Sequence, residues 1–176
     1  MPEQPERNTF DKVVISIFSF VIAVNSILIT LIIAGAAATR YILKINFIGY
    51  DEIAVLVAFW FYFTGAAYGA YNNSHVTADV IDAYFLEGAS KRVLTFVRWL
   101  LTCLACGLFV YYGYSYFKFS FVGPLGNFQF QPKSMTWRIP LWTSHASIFF
   151  GLIFMEIYFI RNLVQSARAL IAGDRT

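Results

Sequence analysis

Four stretches of this chain, residues 13–39, 53–71, 93–117 and 141–160, are almost free of Asp, Glu, Lys and Arg. A helix needs about 20 apolar residues to cross the ~30 Å hydrocarbon core of a bilayer, because it rises ~1.5 Å per residue. Only 13% of the residues are charged, against about 25% in a typical soluble domain. The sequence therefore predicts an all-α integral membrane protein with four transmembrane helices and no globular soluble domain.

Residues 72–92, between the second and third stretches, are polar but patterned. Their apolar residues recur at helical spacing: Val76, Val80, Ile81, Tyr84 and Phe85. Thr77 suits the start of a helix and Gly88 suits its end. The pattern predicts a short amphipathic helix at the membrane interface between the second and third transmembrane helices, and a helical extension of the second span fits it as well.

Residues 118–140 form the predicted loop before the fourth stretch. They contain the turn-forming pairs Gly123-Pro124 and Gly126-Asn127, followed by Pro132. Aromatic residues alternate with other residues at 117, 119 and 121, and again at 128 and 130. Because alternation is typical of strands, a short hairpin or a re-entrant turn is expected in this part of the chain.

The ends of the chain are predicted to lie in the cytoplasm, with residues 1–12 and 166–176 as tails on either side of a membrane domain at 13–165. The first apolar stretch is too long for a signal peptide, so it is expected to remain as an uncleaved span. Of the 13 Lys and Arg residues, eight lie on the side of the two termini and five on the opposite side. An excess of Lys and Arg marks the cytoplasmic side, which gives this orientation.

Two charged residues lie inside the predicted spans, where charge is costly and usually has a role. Arg98 is near the start of the third span and Glu156 is near the end of the fourth. At ~1.5 Å per residue, both lie ~6–8 Å from the same membrane face. We predict a structural ion pair of Glu156 with Arg98, or of Glu156 with Arg161 along one helix. A proton or sodium relay through Glu156 is the alternative.

Four further residues raise the question of redox or metal chemistry. Cys103 and Cys106 form a Cys-x-x-Cys pair, but they lie in an apolar run with no second ligand pair, so two packing residues are expected. His75 and His145 are predicted near opposite membrane faces, too far apart to bind one haem, and His145 is expected to be a hydrogen-bonded interface residue. No catalytic residue, metal ligand or cofactor is therefore predicted, and no basic cluster indicates nucleic acid.

The second span combines aromatic residues with a run of small ones. Trp60 lies too deep for the aromatic belt at the membrane surface and is expected to pack against another helix. The small residues that follow are Gly65, Ala66, Ala67, Gly69 and Ala70. Because small side chains let another backbone approach closely, this half of the span is a predicted packing surface, with Gly65 as a candidate interface residue.

An ordered series of short motifs runs along most of the chain: Arg40, then Gly49-Tyr50-Asp51-Glu52, Gly65-Ala66-Ala67, His75 with Asp79, and Arg138-Ile139-Pro140-Leu141-Trp142. In order and spacing, this series resembles the DctQ-type small membrane subunit of tripartite ATP-independent periplasmic (TRAP) transporters over residues 13–165. The family often has a basic residue shortly after Gly-Ala-Ala, where this chain has Tyr71, Asn72 and Asn73. This departure argues against a lipid-headgroup contact at that position.

The resemblance implies a multi-pass protein of the bacterial inner membrane that works in secondary transport. Such a system combines a periplasmic substrate-binding protein, a large membrane subunit that moves the substrate, and this small subunit. Uptake by symport is driven by an ion gradient, typically of sodium, and the substrates are mostly organic acids such as dicarboxylates or sialic acid. The small subunit is expected to be a scaffold for the large one, in contact with membrane lipids, and not an enzyme.

Four positions carry over from the motifs of the family: Arg40, Glu52, His75 and Asp79. Arg40 and Glu52 flank one connection and are expected to order it. His75 and Asp79 are four residues apart and are expected to fasten the interfacial helix to the second span. The alternative interpretation of both pairs is that these are polar residues at the ends of spans with no specific role.

Two other classes of protein stay open on the residues alone. One is an unrelated scaffold or assembly factor with four spans, and the other is a membrane redox subunit. A transporter that acts alone is not expected, because four helices without an internal repeat offer little for alternating access.

Overall fold

The computed structural model describes residues 9–45, 48–72, 89–123, 126 and 131–172. Within these ranges the chain forms four helices: α1 (Thr9–Tyr41), α2 (Tyr50–Tyr71), α3 (Ala89–Val122) and α4 (Trp142–Ala172). Each includes a segment long and apolar enough to cross a membrane. The prediction of an all-α membrane protein with four spans is therefore confirmed, while the predicted interfacial helix lies almost entirely outside the described residues.

Helix α3 is longer than the predicted third span and ends at Val122. The rings of Phe117 and Phe121 stack with their centroids 5.7 Å apart, as residues four apart on a helix can. The interpretation of residues 117–121 as part of a hairpin is therefore wrong. A helix that faces lipid accepts apolar side chains on every face, and Phe119 is 51% exposed, so alternation is no strand signal here.

The four helices pack in the spatial order α3, α4, α2, α1, which leaves α2 and α4 in the middle. One buried cluster joins α2, α3 and α4 and consists of Ala70, Cys103, Cys106, Tyr158 and Phe159. A second cluster joins α1 and α2 and consists of Val14, Phe18 and Ala67. The two cysteines are buried and not disulfide-bonded, which agrees with the prediction that they are packing residues.

Small residues let α2 and α4 approach closely. Ala67 and Ala70 are 0% and 1% exposed, which confirms a packing surface on the second half of α2. On α4, a Cβ added to Gly151 would lie 2.7 Å from Cβ of Phe63 and 2.9 Å from its carbonyl oxygen, so only glycine fits. A Cβ added to Gly65 would meet no atom within 4 Å, so this glycine takes no part in the contact.

The outer helices α1 and α3 expose large apolar side chains along their length. Phe20 of α1 is 70% exposed and Leu104 of α3 is 60% exposed. In water such surfaces would be unfavourable, whereas lipid tails are as apolar as these side chains. The exposed faces thus suit a chain that is surrounded by hydrocarbon or by another membrane protein.

Candidate functional site

A set of hydrogen bonds fastens the loop before α4 to the start of α2. Oε1 of Glu52 accepts a hydrogen bond from the backbone N–H of Thr136 at 2.8 Å, and its Oε2 accepts one from the backbone N–H of Trp137 at 3.0 Å. The indole Nε1 of Trp137 donates to the carbonyl oxygen of Gly49 at 3.0 Å. We call these four residues, Gly49, Glu52, Thr136 and Trp137, the loop clamp.

Glu52 supplies the charge of the loop clamp. It lies in the first turn of α2 beside Asp51, where a negative charge meets the positive end of the helix dipole. Hydrogen bonds to a carboxylate are roughly twice as strong as those between neutral groups. Since each oxygen of Glu52 has its own backbone donor, the site is built for the ionised side chain.

Gly49 lets the loop come this close. Its φ of 88° lies in the left-handed region, which glycine adopts without the steric cost that other residues bear. A Cβ at Gly49 would also lie 2.6 Å from Nε1 of Trp137 and 2.8 Å from Cγ2 of Thr136. Glycine is therefore required on two independent grounds, its backbone conformation and its contact with the loop.

The loop that carries Thr136 and Trp137 is itself closed by hydrogen bonds. Lys133 and Pro140 form an isolated antiparallel bridge. The backbone N–H of Ser134 donates to the carbonyl oxygen of Ile139 at 2.9 Å, and the N–H of Ile139 donates to Oγ of Ser134 at 3.1 Å. A short hairpin-like turn therefore exists in the predicted loop, but at residues 133–140.

A second polar contact lies at the opposite end of the helices. The guanidinium Nη1 of Arg161 on α4 donates to Oδ2 of Asp11 on α1 at 2.7 Å. Asp11 is only 7% exposed. About two turns away along both helices, the rings of Phe18 and Phe154 meet edge to face with centroids 5.1 Å apart. Arg161 thus pairs with Asp11, and the predicted alternative that paired it with Glu156 is wrong.

Glu156 lies between α3 and α4 in a mostly apolar setting. Its Oε2 is buried and has no hydrogen-bond partner within the described residues. Its Oε1 lies 3.8 Å from where a Cβ on Gly107 of α3 would be. The guanidinium carbon of Arg98 lies 5.6 Å from the ring centroid of Trp99. An ion pair of Arg98 with Glu156 stays a prediction.

The four positions carried over from the family have different outcomes. Arg40 is in the last turn of α1, with its guanidinium carbon 5.9 Å from the ring centroid of Tyr41. Glu52 was expected to order the connection between α1 and α2, and its carboxylate instead holds the connection between α3 and α4. His75 and Asp79 lie outside the described residues, so their proposed role stays a prediction.

The structure also gives hydrogen bonds for three further residues, Trp60, His145 and Trp137, which can be compared with the predictions from the sequence. The carbonyl oxygen of Trp60 accepts a hydrogen bond from the hydroxyl of Thr64 within α2. His145 is hydrogen-bonded, as predicted: its Nδ1 lies 2.5 Å from Oγ of Ser120 on α3. The hydrogen bonds of Trp137 were not predicted from the sequence. Its partner in the loop clamp is 88 residues away, so no local pattern signals the contact.

Comparison with known families agrees with the resemblance that the ordered motifs indicated. The chain matches the family model described as "Tripartite ATP-independent periplasmic transporters, DctQ component" over residues 29–169. That match includes all of α2, α3 and the loop clamp, most of α4, and the C-terminal part of α1 from residue 29 onward. No curated protein sequence matches the chain. The model covers well over half of the chain and describes a component of a transporter, not an enzyme, so the chain belongs to the DctQ family of TRAP transporter membrane components.

Proposed function

We propose that this chain is a scaffold subunit that braces the large membrane subunit of a sodium-driven TRAP transporter for organic acids. A periplasmic protein would deliver the substrate to the large subunit. The observation that carries the scaffold role is that α4 is fastened at both ends to different helices. The loop clamp joins the loop that leads into α4 to the start of α2, and the Arg161–Asp11 pair joins the far half of α4 to α1.

Fastening at both ends favours a static brace over a moving gate. Helices that slide or rock during transport need two packing arrangements of similar energy. Here the Gly151–Phe63 contact seats α4 against α2 with no room for a methyl group. The charge-assisted hydrogen bonds at the two ends resist shear along the helix axes. Together these contacts support one rigid body against which a larger subunit can move.

The proposal places this rigid body in the bacterial inner membrane with both termini in the cytoplasm. The excess of Lys and Arg on the side of the termini supports that orientation. The loop clamp then lies on the periplasmic side and the Arg161–Asp11 pair on the cytoplasmic side. Reporter fusions at the two termini test this arrangement, and a periplasmic signal from either terminus would reverse it.

The scaffold role is tested with Glu52→Gln and its matched control Asp51→Asn. A glutamine has one acceptor oxygen and turns its NH₂ group toward the second backbone N–H, so the loop clamp is broken. Asp51 is exposed on the same turn of α2. We expect Glu52→Gln to reduce recovery of the large subunit in a mild-detergent pull-down quantified by mass spectrometry, and Asp51→Asn to leave it unchanged. Equal recovery of the large subunit with both variants and with the wild type would show that the loop clamp is not needed for assembly.

The coupling ion and substrate class are tested by uptake in proteoliposomes that contain both membrane subunits and the binding protein. We expect a radiolabelled dicarboxylate or sialic acid to accumulate when a sodium gradient is imposed, and not when potassium replaces sodium. Uptake that is indifferent to sodium would refute the proposed coupling ion while leaving the family assignment intact.

A further inference from the structure

A groove of about 510 Å³ lies between α1 and α2 at the end of the molecule that holds the Arg161–Asp11 pair. Its lining includes Lys12, Ser16, Ser19, Phe20 and Ala23 of α1 and Tyr68 of α2. The residues from α1 follow one another at helical intervals and so form one stripe along the membrane-crossing direction. We call this feature the α1–α2 groove.

Polarity changes in a definite order along the α1–α2 groove. Lys12 is the second residue of Asp11–Tyr41, a segment long and apolar enough to cross a membrane, and is therefore expected at the membrane boundary. The hydroxyls of Ser16 and Ser19 follow one and two turns deeper, and Phe20 and Ala23 line the deepest part. The stripe from Lys12 to Ala23 is ~16 Å long at ~1.5 Å per residue. From the membrane boundary inward, the α1–α2 groove therefore presents a cation, then two hydroxyls, and then apolar surface.

The two serine hydroxyls are available to a ligand. Hydroxyls on membrane helices commonly donate to the carbonyl oxygen three or four residues earlier. Those of Thr30, Thr102 and Ser115 do so here. Ser16 and Ser19 are exposed on α1, and neither side chain makes a hydrogen bond to any residue of the described ranges. Exposed to hydrocarbon, both would gain from a polar group brought by a bound molecule.

The charge of Lys12 is available as well. Asp11, the carboxylate next to it in sequence, is occupied by Arg161 at 2.7 Å. Lys12 is exposed, and no ion pair among the described residues includes it. A lysine at the membrane boundary attracts the anionic headgroups of lipids. The groove thus presents, at the end of the apolar segment, a cation with no ion-pair partner among the described residues, where lipid phosphate groups are expected.

We propose that the α1–α2 groove binds one anionic phospholipid. Its phosphate lies on the ammonium group of Lys12, its ester oxygens accept hydrogen bonds from Ser16 and Ser19, and one acyl chain runs past Phe20 and Ala23. A transmembrane helix of a protein partner would bring apolar residues to all three levels, whereas a phospholipid carries phosphate, esters and hydrocarbon in the order that the groove requires. The proposal rests on α1 and α2 alone and is independent of the transport function.

The test is native mass spectrometry of the full chain, purified in mild detergent with its bound membrane partner. It is titrated with phosphatidylglycerol or with phosphatidylcholine of the same acyl chains. One lysine near the membrane surface corresponds to about fivefold in affinity, so the wild type is expected to prefer phosphatidylglycerol by about that factor. Lys12→Gln removes the preference, and the control Lys44→Gln, at the other end of α1, keeps it. Inorganic phosphate does not displace the lipid, because the acyl chain supplies much of the binding.

A second variant keeps the proposal testable if Lys12→Gln fails to fold. Ser19→Leu fills the middle of the groove without changing charge and is expected to weaken binding of both lipids. Equal binding of the two lipids to the wild type, an undiminished preference in Lys12→Gln, or displacement by inorganic phosphate would each overturn the proposal. So would cross-linking of a Ser16→Cys variant to a protein chain, because a protein would then occupy the groove.

Discussion

Replacing Gly49 by alanine tests the loop clamp at its tightest point. Its φ of 88° costs a residue other than glycine about 1–2 kcal/mol. The new methyl group would lie 2.6 Å from Nε1 of Trp137 and 2.8 Å from Cγ2 of Thr136, so the indole must move and its hydrogen bond to Gly49 is lost. That bond contributes about 0.5–1.5 kcal/mol. The free energy that holds the clamp closed should therefore fall by about 2–3 kcal/mol.

Limited proteolysis with trypsin measures this loss. Arg138 directly follows the clamp residue Trp137 and is exposed. When local opening and closing are fast relative to cleavage, the cleavage rate follows the population of the open form. A change of about 2–3 kcal/mol raises that population about 30- to 150-fold. Cleavage after Arg138 in Gly49→Ala should accelerate by a factor of this order relative to the wild type.

Gly126→Ala is the matched control. Gly126 also has a left-handed φ, at 72°, but a Cβ there meets no atom within 4 Å. It therefore bears the same backbone cost of about 1–2 kcal/mol without touching the clamp, and cleavage after Arg138 should stay at the wild-type rate. If Gly49→Ala and Gly126→Ala were cleaved equally fast, the close approach of Trp137 to Gly49 would not be part of the native structure.

Three further predictions concern the helix contacts. Gly151→Ala should lower stability in detergent by about 1–3 kcal/mol, while Gly65→Ala should not; equal thermal midpoints would contradict the contact at Gly151. Asp11→Asn and Arg161→Gln should each destabilise by about 1–3 kcal/mol, and the double variant by less than their sum. Additive losses in chemical denaturation would show that the two side chains do not interact. Glu156→Gln should preserve assembly and uptake, and lost uptake in an intact complex would instead favour the proton or sodium relay.

The hydropathy of the sequence determined the fold class. In hydrocarbon, backbone N–H and C=O groups have no water to bind, so a spanning segment must satisfy them internally as a helix. That rule depends only on the length and composition of each stretch, which is why all four helices include the predicted spans to within one residue, although α4 continues about 12 residues beyond the predicted end at 160. The ordered motifs also indicated the family, since each can be read without knowing its spatial neighbours, and they selected Glu52 as a residue of interest.

Only the tertiary structure decided what these residues contact. Glu52 holds backbone groups 84 and 85 residues away, and Asp11 holds a guanidinium 150 residues away. Gly65 and Gly151 look alike as small residues in apolar spans, yet one faces open space and the other meets Phe63. The physical reason is that a membrane helix is apolar on its lipid face and on its packed face alike. Its sequence therefore determines that it crosses the membrane, and the packing of the helices determines which side chains meet.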